Sequence, residues 1–161
     1  MKTIAATTLI LAMMLGMGLA TVLANDEGDE GLTPGYWKSH PEAWSETVVD
    51  EGTCPAYCPE DCFDDAFRCD DDGIEADISL LDGDRPTLIK VLNSKGGGRH
   101  ALGRHAVAAL LNAAHPKIHY RLHRRHIIHR VRHALVYGTD EEIEDLKTEL
   151  DCYNNLGCPD D

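Results

Sequence analysis

Arg99-His100-Ala101-Leu102-Gly103-Arg104-His105-Ala106-Val107-Ala108-Ala109-Leu110-Leu111-Asn112-Ala113-Ala114 is the stretch whose reading decides the fold. Alanine and leucine are the strongest helix formers, and no proline interrupts the run. Its many alanines let neighbouring elements approach closely, so it is expected to be the central helix. His105 shares a stripe with Leu102 and Ala109 and reads as a half-buried structural histidine. Ahead of the run stand Gly96-Gly97-Gly98. Glycines before a helix can cradle an anion on free N–H groups, but a tight turn is the simpler reading. His115-Pro116 ends the helix.

On the N-terminal side, residues 86–93 read as a short helix with Leu88, Ile89 and Leu92 inward. On the C-terminal side, a second long helix starts near Arg121 or Leu122 and ends at Gly138, which suits a C′ cap. Ile127, Ile128, Val131, Ala134 and Leu135 form its apolar face. His123, His126, His129 and His133 fall on the opposite, water-facing side at about 100° per residue, with Arg125, Arg130 and Arg132 near them. Thr139 then caps a last helix, and Glu142 completes a capping box. Its inward positions are Ile143, Leu146, Leu150 and Tyr153.

Upstream lies Leu32-Thr33-Pro34-Gly35-Tyr36-Trp37-Lys38-Ser39-His40-Pro41-Glu42-Ala43-Trp44. Pro34-Gly35 signals a turn. Ser39 or His40 can cap a short helix with Pro41 in its first turn. Tyr36, Trp37 and Trp44 are either core anchors or a sugar-stacking platform, and in so small a domain anchors are the expected role. With few aromatics in the chain, the core is expected to be built from Leu, Ile, Val and Ala.

Residues 52–84 read as an acidic, Cys-rich loop insert with little periodicity. Asp70-Asp71-Asp72-Gly73 suggests calcium but fails the EF-hand template, which would place Arg68 first and Ser79 twelfth. The six cysteines are Cys54, Cys58, Cys62, Cys69, Cys152 and Cys158. An even number in an exported chain reads as disulfides, with a thiolate zinc cluster as the rival.

Export is the expectation from the N-terminus. Lys2 precedes an uncharged stretch over residues 3–24, most apolar at residues 9–15, with small residues at Ala20 and Ala24 as cleavage points. This reads as a secretory signal peptide over residues 1–24, a retained membrane anchor being the rival. Residues 25–31 are then an acidic flexible tail, and residues 32–161 a single helical domain.

The net charge of −13 over 161 residues is segregated. Residues 25–84 carry 19 acidic and two basic side chains, residues 85–138 carry 11 basic and no acidic ones, and residues 139–161 carry nine acidic and one basic. Packing the basic block against the acidic ones would neutralise both. The competing arrangement is a basic face for a polyanion, but overall acidity argues against a nucleic-acid partner.

Residues 33–44, Gly96-Gly97-Gly98, residues 104–114, Leu146-Lys147 and Tyr153-Asn154-Asn155-Leu156-Gly157-Cys158-Pro159 occur in this order along the domain. Together they resemble a group of uncharacterised exported bacterial and archaeal proteins that open on a TPGYWKNHPEAW-like motif and close on YNNxGCP. The resemblance implies an extracellular module and brings no activity. In that group a cysteine often precedes the TPG turn and could pair with the final one. Here Leu32 stands in that place, which leaves Cys158 to Cys152 or to the cysteines of the insert. The His/Arg-rich helix is a further departure, since relatives tend to carry Thr and Glu there.

The expectation is therefore an all-α, compact domain of about five helices, disulfide-stabilised and secreted or displayed at the cell surface, with no membrane span after cleavage. Its role is binding or structural, towards an extracellular partner the sequence does not name. The first alternative is a metal-binding protein that holds zinc or another divalent ion on His123, His126, His129 and His133. An extracellular enzyme is the second alternative. The chain carries no Ser-His-Asp signature, no HExxH and no CxxCH, so no catalytic residue is assigned and no cofactor is otherwise expected. Convergence of His40 and His105 beside a carboxylate would favour an enzyme.

Overall fold

The computed structural model describes residues 30–48, 56–68 and 85–156. The signal-peptide reading, most of the acidic tail, Cys54, Cys69, Cys158 and the Asp70-Asp71-Asp72-Gly73 stretch lie outside these residues. Among the described residues the fold is all-helical: α1 (Pro34–Ser39), α2 (Phe63–Ala66), α3 (Leu88–Asn93), α4 (Gly98–Ala114), α5 (Arg124–Tyr137), α6 (Asp140–Asn154) and one 3₁₀ turn over Pro41–Glu46. No strand forms there beyond an isolated bridge between Cys62 and Thr87. No helix among them is long and apolar enough to cross a membrane.

Helix α4 is the hub, packing on α1, α3, α5 and α6. It is buried on nearly all sides from Ala101 to Ala114, as a core helix with small residues all round should be. Helix α6 starts on the expected capping box, with Thr139 N–H donating to Glu142 Oε2 at 2.7 Å. Its face of Ile143, Leu146 and Leu150 is buried, and Asn154 takes the next inward place while Tyr153 stays half-buried. In α3, Val91 is buried along with Leu88 and Leu92, and Ile89 is only half-buried.

Several sequence expectations are corrected. Pro34-Gly35 opens a helix: Thr33 accepts from Tyr36 N–H as the N-cap, and proline at N1 has no N–H to waste. The core is built mainly from Leu, Ile, Val and Ala, as expected, and Phe63 and Phe67 of the insert join the anchors Trp37 and Trp44 in it, all four at 1% exposure or less. The described part of the insert is no loose loop. Phe63 and Phe67 stack at 4.4 Å, and the backbone is pinned by Phe63 N–H to Pro86 O and Leu88 N–H to Asp61 O, both at 2.9 Å. Glu30 and Gly31 are docked: Glu30 Oε2 accepts from His119 N–H at 2.9 Å, and a Cβ on Gly31 would lie 2.1 Å from the Tyr153 carbonyl oxygen. Gly138 is not a left-handed cap, since its φ is −72°. It is glycine because a Cβ there would meet the Ala134 carbonyl oxygen at 2.5 Å.

Disulfide bracing is not seen among the described residues. Cys58, Cys62 and Cys152 form no disulfide with one another, and the described core closes without one.

Candidate functional site

Two places gather polar side chains from distant parts of the chain. One is buried. Asn112 Oδ1 accepts from Leu32 N–H at 3.0 Å and from Trp37 Nε1 at 2.9 Å. Its Nδ2 donates to Leu32 O at 2.9 Å and to Asn154 Oδ1 at 3.0 Å. Asn154 Oδ1 also accepts from Tyr120 Oη at 2.8 Å, and Asn154 Nδ2 donates to the His105 carbonyl at 3.0 Å. The fixed N–H donors determine which way each amide points. Burial holds the Tyr120 phenol protonated far above its ordinary range. Trp44 Nε1 donates to Trp37 O at 3.0 Å, so both indoles are satisfied inside the core. With Trp37 and Trp44 sealed, only Tyr36 of the three aromatics reaches the surface, stacked on His40 at 4.3 Å.

The other place is open. A groove of about 450 Å³ runs between α5 and α6. One wall presents His129, Arg130 and His133, the other Glu142, Asp145 and Glu149, over a floor of Ala134 and Leu146. Gly138 and Thr139 are the only residues between the two helices. So short a link forces them side by side and antiparallel. At the far end Arg130 grips Glu149 with two bonds of 2.6 Å, which hold the carboxylate below its ordinary range. Glu142 is also held acidic, chiefly by the backbone N–H and hydroxyl of Thr139, with His133 adding a smaller effect.

The four-histidine candidate thus divides. His123 is the N-cap of α5, its Nδ1 accepting from Arg125 N–H at 3.3 Å. His126 is exposed outside the groove, whereas His129 and His133 line it. Arg132 corrects the expected polar face. It is 3% exposed and lies 4.0 Å from the buried Asp64 carboxylate. Among the described residues no three His, Cys, Asp or Glu side chains are gathered as a metal cluster. The sequence reading missed the carboxylate wall, although Glu142, Asp145 and Glu149 share one face of α6 at i, i+3 and i+7. The two-residue link was the available signal that this face meets the histidines.

His105 is half-buried, its Nδ1 3.6 Å from Asp151 Oδ1. Burial lowers its pKa, Asp151 opposing and Arg104 and Lys147 adding to the fall. His40 instead contacts Tyr36 and Ser39, so the two histidines have different neighbours. The basic and acidic blocks pair repeatedly: Arg85 with Asp65 at 2.6 Å and with Asp64 at 3.7 Å, and Lys117 with Glu46 at 2.7 Å. The chain matches no family model, no curated protein and no solved structure.

Proposed function

We propose that this chain is an exported, non-catalytic binding module that presents the α5/α6 groove to an extracellular ligand. One observation carries the reading. The side chains that make the opening and closing motifs distinctive are engaged inside the core, Trp37 and Asn154 with Asn112 and Trp44 with the Trp37 carbonyl. Those motifs therefore serve the fold, and the exposed polar groups of the groove are left to serve a partner. Pairing of the basic block with the acidic ones disfavours a polyanion as that partner. In this reading residues 1–24 direct secretion and are removed. In an oxidising compartment the six cysteines then pair and brace the domain.

Intact mass and thiol counting on protein taken from its own secretion route test the reading. The expected product begins near residue 25 and has no alkylatable thiol. Full-length chain retained in the cytosol with reduced thiols overturns it.

A further inference from the structure

We propose that the groove between α5 and α6 is a site for a zinc-like divalent transition metal, held by His129, His133 and Asp145. The inference rests on reading this groove as the ligand surface. It starts from what each lining group already does. Glu149 is held by both guanidinium bonds of Arg130, and Glu142 closes the capping box on Thr139. His129 and Asp145 make no hydrogen bond or ion pair among the described residues. His133 makes an edge contact with Tyr137 at 5.6 Å between ring centres, which leaves its lone pair available. Two imidazoles and one carboxylate therefore remain, the donor set that zinc and its neighbours prefer.

The backbone places them suitably. His129 and His133 are four apart on α5, so their Cβ atoms lie about 5–6 Å apart on one face, a spacing at which two imidazoles can share one ion. Asp145 stands on the facing helix, in the middle of a wall whose ends are fixed by the Gly138-Thr139 link and the Arg130–Glu149 clamp. As they stand the three side chains do not converge. All three are exposed and free to take other rotamers, and binding requires that they do so. Ala134 and Leu146 beneath them make the floor apolar, which strengthens ligand–metal attraction over that at a flat surface. His123 and His126 stand outside the site.

The test is calorimetric titration of the folded mature chain with Zn²⁺, and with Co²⁺ read by its visible absorption. Any thiol left unpaired is alkylated first so that cysteine cannot bind the ion. One equivalent is expected to bind. Changes to outer-sphere partners alone weaken metal sites by roughly 10–100-fold, so His129→Ala, His133→Ala and Asp145→Asn should each weaken binding at least that much. His123→Ala/His126→Ala should bind like the parent. A silent parent protein, unchanged affinity in His129→Ala or His133→Ala, or equal loss in the His123/His126 control would each overturn the site. All the changes are at exposed positions, and circular dichroism checks that the variants fold. Failure here removes the metal only, because the export reading is decided separately by the mass of the secreted product.

Discussion

The buried network around Asn112 and the open groove between α5 and α6 use similar polar chemistry under opposite conditions. At Asn112 every donor and acceptor of the amide is matched, and the residue has no solvent exposure. In the groove, Glu142, Asp145, His129 and His133 are exposed, and only part of the lining is engaged. Inside the core an unmade hydrogen bond cannot be replaced by water, so the network enforces one arrangement of α1, α4 and α6. In the groove water substitutes freely, so the same kinds of group can wait for a ligand at little cost to folding.

The comparison breaks hardest at the network. Asn112→Leu leaves Leu32 N–H, Leu32 C=O and Trp37 Nε1 without this partner, at about 1–3 kcal/mol for each buried group. A total loss near 4 kcal/mol is expected in urea unfolding. A loss under about 1 kcal/mol would mean the network is dispensable.

Next comes the one charge in the described part of the insert that the fold has taken inside. The Asp64 side chain is 5% exposed beside Arg132 at 3%, whereas that of Asp65 is 54% exposed. Asp64→Asn should cost about 3 kcal/mol by leaving a buried guanidinium short of countercharge. Asp65→Asn should cost at most about 1 kcal/mol. Equal effects of the two would erase the distinction between buried and exposed pairs.

Gly138→Ala should cost about 1–2 kcal/mol, since its Cβ would strike the carbonyl of Ala134. The measurement is a denaturation midpoint, and an unchanged value would show that the α5/α6 link yields easily.

Acid sensitivity gives a smaller effect. Burial lowers the folded-state pKa of His105 and His115 below the ordinary imidazole value of about 6.5. The unfolded chain therefore takes up protons first as pH falls. Stability is full above the unfolded value and declines as pH drops through it towards the folded values. Melting temperature should fall between about pH 7 and pH 5, and His105→Gln should flatten part of that fall. A rise over the same interval would reverse the assigned sign.

The smallest effect belongs to the groove. His129→Ala/His133→Ala should change stability by no more than about 0.5 kcal/mol per site. A larger loss would make the groove part of the fold's support and close the gap between the two regions.

Much of this was legible along the chain because it depends on local order. The capping box at Thr139 and Glu142, the apolar stripe of α5 and the breaks after Ala114 and at Gly138 are fixed by residues a few positions apart. Even so, local reading mistook Pro34-Gly35 for a turn. It also missed Phe63 and Phe67, because two aromatics in an acidic, aperiodic segment give no repeating signal. Arg132 was misplaced for a related reason. Helix geometry alone put it near the polar face, and its burial depends on Asp64, 68 positions away.

The sequence by itself determined the long helices, the capping box of the last one and the segregation of charge, since these follow from backbone sterics and the spacing of side chains within one or two turns. Only the tertiary structure decided which asparagines lie inside, which carboxylate is buried and which two of four histidines face α6. Those outcomes depend on the energy of taking polar groups out of water, and that energy is set by partners the chain supplies from far away.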